Sequence, residues 1–380
     1  MFVQLDVFNF QIVVQYFYFE KDFINSILMC KKFSFILDRF RYNPIQVDSK
    51  RLFPYMETQH LYDFGVVLND INNIVLWKPV SLTDSIDIST QCPCTFKNIS
   101  VSLVDIYNKK ITTYTELQKL LNNTNIKSYG KHLFYLFGVS EVIIPNTVTS
   151  LQFYTFQDHM KLERVTLSES LKDIPNGCFE NCVQLKNINF PPSITGIKNN
   201  SFYNCGFERL IIPSSIYVIE NSAFEKCVKL VDVKISNNVK IIEDYVFQLC
   251  TNLSKVELPK KLKFIKTSVF NGCIQLEYVN IPESVCYVDS LAFNNCKKIK
   301  DLVFNQKCYI ADNAFNNCTS LTKLVVPTLN KKVINQVSKE CSKIVKKFYD
   351  NYEYTMDNNS ELYNNQFKEN LDTNTTKEVC

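Results

Sequence analysis

Cysteine is the residue here whose chemistry must be weighed first: the 380-residue chain has 15, against three histidines, His60, His132 and His159. Seven of the cysteines keep a fixed spacing: Cys182, Cys205, Cys227, Cys250, Cys273, Cys296 and Cys318 follow at steps of 22 or 23. A metal site wants two to four ligands converging from a few residues, as in C-x₂-C pairs. Steps this long make a line of thiols instead of a cluster. Stacked coils would bring neighbouring Cα atoms to roughly 5 Å, within reach of a disulfide, yet seven thiols cannot all pair. Packing remains: cysteine is small, readily buried, and its S–H can satisfy a turn carbonyl. Cys92 and Cys94 form a lone C-P-C with no second pair. The histidines stand in no catalytic spacing, and no nucleophile elbow or phosphate loop occurs among only seven glycines. No metal, no cofactor and no enzymatic activity is expected.

The cysteine spacing belongs to a larger unit. Three residues before each of the seven cysteines stands a phenylalanine, and the series with its two earlier members runs Phe134, Phe156, Phe179, Phe202, Phe224, Phe247, Phe270, Phe293 and Phe315. Phe137 and His159 take the cysteine position in the two earliest repeats. The residue before Phe is small or β-branched, from Thr155 and Cys178 to Ala292 and Ala314. Five before Phe runs an aliphatic line from Leu151 and Ile174 to Val288 and Ile310. A period of this size is that of a solenoid, whose coils stack like residue on like. In "LEYVNIP" (Leu276 to Pro282) the first, fourth and sixth residues point inward, the last two alternating with exposed ones as in a strand. Pro then removes an N–H and ends the strand. One short parallel strand per coil is expected, with a return from Ile265 to Cys273 as a turn or short helix. "LVDVKISNN" (Leu230 to Asn238) and "IKDLVFNQK" (Ile299 to Lys307) lack the Pro and should still stack.

The pattern L-x-x-[VIL]-x-[VIL]-P…[VI]-x-x-I-x-x-x-A-F-x-x-C resembles the BspA-like leucine-rich repeats of bacteria and parasitic protists, over about Phe134 to Pro327. The resemblance implies an α/β fold class, a curved leucine-rich-repeat solenoid that binds proteins instead of catalysing. Helical caps are expected at both ends.

The ends differ in composition. Residues 10 to 40 read as two or three short helices, with Phe23, Ile24, Ile27, Leu28 and Phe33 along one face. The ending Leu28-x-Cys30-Lys31-Lys32-Phe33 resembles the second half of an F-box, but the usual Leu-Pro start is missing. Such a module would use Leu28 and Phe33 toward a Skp1-like adaptor; the plainer alternative is a helical cap on the first coil. Segments like Asn43-Pro44-Ile45 and Glu57 to Tyr62 are similar to ones in amoebal relatives of these repeats. Residues 41 to 133 are expected as an irregular linker and early coils, with a short amphipathic helix at "TELQKLLNN" presenting Leu117, Leu120 and Leu121. The solenoid is assigned to 134–327, a capping helix to 328–349 and a disordered tail to 350–380. Cys380 lacks the three following residues of a prenylation box.

A net charge of +4 argues for neither nucleic acid nor anionic membrane as a partner. No apolar run approaches the roughly 18 residues of a transmembrane anchor, and Val7 to Phe19 lacks the basic start and cleavage site of a secretory signal. Cysteines without an export signal then read as reduced thiols in a cytoplasmic protein. The expected function is a non-enzymatic protein-binding scaffold that uses the outward strand positions. On that face stand Arg164, Lys186, Arg209, Lys234, Lys255, Glu257, Tyr278, Lys300, Asp301 and Lys323. Tyr278 and Arg209 have the chemistry of anchors. The alternatives are an F-box-type substrate receptor of a ubiquitin ligase and a cell-surface adhesion protein. The protein partner is not identified by the sequence.

Overall fold

The computed structural model describes residues 17, 19–29, 36–62, 67–68, 71, 73–91, 94–304, 308–311 and 313–325. The expected capping helix 328–349, the tail and Phe33 lie outside these residues. The chain divides into two compact units, Met1–Gly130 and Lys131–Cys380.

In the first unit a helix, Glu20–Met29, and a 3₁₀ turn, Ile36–Arg39, are the described parts of the N-terminal module. Phe23 is fully buried against Phe40 and Phe53, with edge-to-face centroids 6.5 and 5.5 Å away. Ile24, expected beside it on the buried face, is exposed: the next residue along a helix turns about 100° away from its neighbour. Asn43 is buried and brackets the chain entering the first strand. Its Nδ2 donates to the Ile45 and His60 carbonyls at 2.8 and 2.5 Å, and its Oδ1 accepts from His60 N at 2.6 Å. The two segments singled out in the sequence, Asn43-Pro44-Ile45 and Glu57 to Tyr62, therefore hold each other.

The stretch expected to be irregular is an ordered run of parallel strands. Thr58–Leu61, Asn73–Leu76 and Cys94–Phe96 pair in that order, as do Val80–Ser81, Ile99–Val101 and Ile126–Tyr129. Helices Leu82–Gln91, Leu103–Asn108 and Tyr114–Leu121 lie between strands in the chain. Of the three leucines expected on one face of the last, Leu117 and Leu121 are buried and Leu120 is half-buried, and a Thr113/Glu116 capping box starts it. Asp105 is buried, and its carboxylate accepts four bonds of 2.8–2.9 Å from the N–H and hydroxyl groups of Thr83 and Ser102.

The second unit repeats one cross-section. Its phenylalanines stack from Phe134 to Phe315, centroids 4.6–5.9 Å apart and ring planes within 23° of parallel. The column before Phe and the column five before it are buried throughout. Each coil has two strands where one was expected. The first is the predicted one, as in Lys255–Glu257 and Tyr278–Asn280. The second is only two residues long, as in Phe264–Ile265 and Tyr287–Val288, and also pairs in parallel with its neighbours.

The return is a pair of tight turns and not a helix. Left-handed residues two before and two after each Phe from Phe156 to Phe293, such as Ser222 and Lys226 around Phe224, with φ of 55° and 58°, interrupt any helical run. The N–H groups there bond to the next coil: Ser222 to Asp244 O, Phe224 to Val246 O and Lys226 to Gln248 O, at 3.0, 3.0 and 2.8 Å. Backbone ladders thus run along the turns as well as the strands.

The two prolineless segments do stack. Asp232–Ile235 pairs on both sides, and Asp301–Val303 pairs with Lys323–Val325. Proline opens a turn by accepting from the N–H three residues on, as Pro259 does from Leu262, and Ser236 does the same from Val239. In the 22-residue coil from Phe202 to Phe224 one turn residue is missing after Cys205. Gly206 closes that gap, since a Cβ there would lie 2.4 Å from the Val183 carbonyl oxygen.

Candidate protein-binding face

The cysteine column is core. Each thiol from Cys182 to Cys318 is buried and free. Its Sγ donates to the Phe carbonyl of the preceding coil, from 3.0 Å for Cys205–Phe179 to 3.2 Å for Cys273–Phe247. That carbonyl already accepts the N–H of its own coil's cysteine, as in Cys182 N to Phe179 O at 3.1 Å. The S–H fills the second lone pair. Burial raises the thiol pKa along the column, to about 12 at Cys227. His159 is buried in the same column, and burial lowers its pKa. Among the described residues no group of three or more His, Cys, Asp or Glu converges as a metal site would require.

Outward chemistry is concentrated on the first strands. Inward residues alternate with exposed ones, and the parallel register carries the exposed ones into rows. One row runs Arg209, Asp232, Lys255, Tyr278, and beside it runs Ile211, Lys234, Glu257, Asn280. Glu141, Arg164 and Asn187 form the first row in the earlier coils, and Asp301 faces Lys323 in the last. Nine of the ten expected residues are exposed; Glu257 is half-buried.

The charges largely answer one another from coil to coil. Arg164 meets Glu141 at 3.3 Å, Lys186 meets Glu163 at 3.8 Å, and Glu257 takes both Lys255 at 2.9 Å and Lys234 at 3.9 Å. The Lys255 hydrogen bond and charge hold the Glu257 carboxyl below its ordinary pKa. These exposed pairs add little stability each. They do neutralise most of the face. Among the described residues Arg209, Lys300 and Lys323 form no ion pair.

Exposed aliphatics at the fifth strand position complete the face, and charge-based reading of the sequence passed over them. Ile143, Ile211 and Val303 are 67%, 71% and 52% exposed. Their column otherwise reads Thr166, Asn189, Lys234, Glu257, Asn280 and the half-buried Val325, so most coils carry a polar residue there. Arg209, with a guanidinium in no ion pair, and the exposed Ile211 lie on the same strand, and Tyr278, 53% exposed, stands three coils on in the Arg209 row, beyond Asp232 and Lys255. The other two expected site residues are not gathered here. Leu28 is on the helix Glu20–Met29 in the first unit, and Phe33 is outside the described residues.

Residues 105–231 and 218–345 match the family model of the BspA type leucine rich repeat region, in six copies. The match starts ahead of Phe134, within the stretch of parallel strands and helices. No curated protein matches the chain. Among solved structures, the leucine-rich repeat protein of T. pallidum is 28% identical, covering 45% of this chain and 82% of that one, with a TM-score of 0.42. A leucine-rich repeat protein of Bacteroides ovatus is 20% identical over 72% of each chain, with a TM-score of 0.47. A leucine rich cell surface protein of Faecalibacterium prausnitzii is 18% identical over 74% and 90%, at 0.34.

Proposed function

The chain belongs to the BspA-type leucine-rich repeat family, whose solenoids are scaffolds typical of protein-interaction and surface proteins, and we propose that it binds a protein partner through the outward face of its first strands. The observation that carries this is the unpaired Arg209 with the exposed Ile211 on its strand, and the exposed Tyr278 three coils along the same row, in a face whose other charges are mostly paired. Arg and Tyr are enriched among residues that dominate binding energies, and paired charges around them add register and selectivity. The face mixes both signs, which fits a patterned protein surface better than a nucleic acid backbone. The chemistry is non-covalent recognition, with no enzymatic step. The protein is read as cytoplasmic, where the column thiols stay reduced and keep the S–H bonds the fold uses.

Affinity purification with the intact chain against an Arg209→Glu/Ile211→Asp/Tyr278→Ala variant tests this. A partner held by the intact chain should be lost from the variant. Its retention would move the binding site elsewhere. An F-box-type receptor is the second reading, supported by the Leu28 to Phe33 resemblance; it requires a Skp1-like adaptor to co-purify with both forms equally.

A further inference from the structure

The second strands carry a different surface. Six residues before each Phe their outward positions read Ser150, Asp173, Gly196, then Val218, Ile241, Phe264, Tyr287 and Tyr309. From Val218 onward the row is apolar, and Tyr287 stacks on Tyr309 at 5.2 Å. In the three coils before it the row drops to small or polar residues, and a cleft of about 550 Å³ opens there. Ligand pockets commonly hold about 300–1,000 Å³. Gly196 stands next to two of the lining side chains: a Cβ there would sit 2.9 Å from Asp173 Oδ1 and 3.9 Å from Lys198 Nζ, so a larger residue would displace them.

The cleft's chemistry is balanced and polar. Its two amines, Lys172 and Lys198, match its two carboxylates, Asp173 and Glu220. Lys198 and Glu220 already pair at 2.9 Å. Asn176 and Asn199 also line the cleft, and their carboxamides have no hydrogen-bond partner among the described residues. In the following coils the same position is engaged: Asn221 Oδ1 accepts from Asp244 N at 3.1 Å and Asp244 Oδ1 from Thr267 N at 3.0 Å. Phe153 forms the apolar wall, with its ring 52% exposed and Lys131 Nζ 5.7 Å from its centroid.

We propose that this cleft binds a neutral saccharide, independently of the strand-face site. Vicinal hydroxyls both donate and accept, which suits two free carboxamides beside a carboxylate and an ammonium. A sugar's C–H face packs on an exposed aromatic ring, and the lining's two amines balance its two carboxylates, which favours a neutral ligand over an ion. The cleft is open, as an internal or terminal unit of a chain would require.

The test uses the full chain with soluble trisaccharides of glucose, N-acetylglucosamine, galactose and mannose, and a neutral dipeptide as the competing probe. Saturation-transfer NMR and calorimetry should find at least one sugar binding. Asp173→Ala and Phe153→Ala should each weaken it by about tenfold or more. Gly196→Val, which restores the residue type of Val218, should abolish binding with an unchanged melting temperature, and Arg209→Ala should leave it intact. The proposal is overturned if no trisaccharide binds more tightly than about 10 mM. It is equally overturned if binding survives Gly196→Val and Phe153→Ala, or if only the dipeptide binds.

Discussion

At the scale of single residues, the fold rests on side chains that see copies of themselves. Phe247 lies between Phe224 and Phe270, at 5.8 and 5.9 Å, and is fully buried. Phe247→Ala should cost about 3–5 kcal/mol in chemical denaturation, since a cavity opens in a column with no freedom to collapse. A loss under about 1 kcal/mol would mean the column is not core. The thiols give a pH signature. Burial holds the Cys227 pKa at about 12, whereas an unfolded thiol ionises near 8.5. Above about pH 8.5 the unfolded chain binds fewer protons than the folded one, so stability is full below that pH and falls toward pH 12. Urea melts from pH 8 to 11 should show the decline, less steep in Cys227→Ala. The cysteine column was legible because a thiol every 22 or 23 residues has no chemistry except packing. The acceptor of its S–H was not: which carbonyl keeps a vacant lone pair depends on the turn, and no spacing records that.

At the scale of elements, the predicted strands were found because five or more residues with inward first, fourth and sixth positions leave a readable pattern. The second strands were missed because two residues, as in Ile241–Ile242, are too few to show a period. The left-handed turn residues lay half in view. Asp158, Asn181, Asn204, Asn295 and Asn317 are residue types that tolerate positive φ, but Lys226 and Leu249 share their column and hide it. Asn204 also extends a side-chain ladder, donating from Nδ2 to Asn181 Oδ1 at 3.0 Å. Asn204→Val should therefore cost about 1–2 kcal/mol, the penalty of a left-handed residue with a branched Cβ. Leu291→Asn, at φ 58°, should instead stabilise by up to about 1 kcal/mol. Differential scanning calorimetry on the pair checks both signs, and equal effects would mean backbone conformation is not limiting there. In the first unit, Asp105→Ala should cost about 2–3 kcal/mol, since four part-buried donors lose their acceptor at once.

At the scale of the molecule, repetition separates what holds the fold from what varies along it. Inward columns barely change from coil to coil, while each outward row changes its chemistry, and that variation is where recognition can reside. Sequence reading reached most of the strand face, because charged residues at outward positions are conspicuous. It did not reach Ile211, which resembles core until the register shows it exposed, or the cleft at Asp173, which exists only when coils are stacked. The central claim is that partner binding runs through the strand face. The most direct measurement is the equilibrium affinity for the purified partner of three proteins: the intact chain, Arg209→Glu/Ile211→Asp/Tyr278→Ala, and the cleft variant Gly196→Val. The account predicts a loss of about a hundredfold or more for the triple variant, roughly 2.7 kcal/mol or above, with its melting temperature unchanged and Gly196→Val binding like the intact chain. A triple variant that binds its partner undiminished would contradict it.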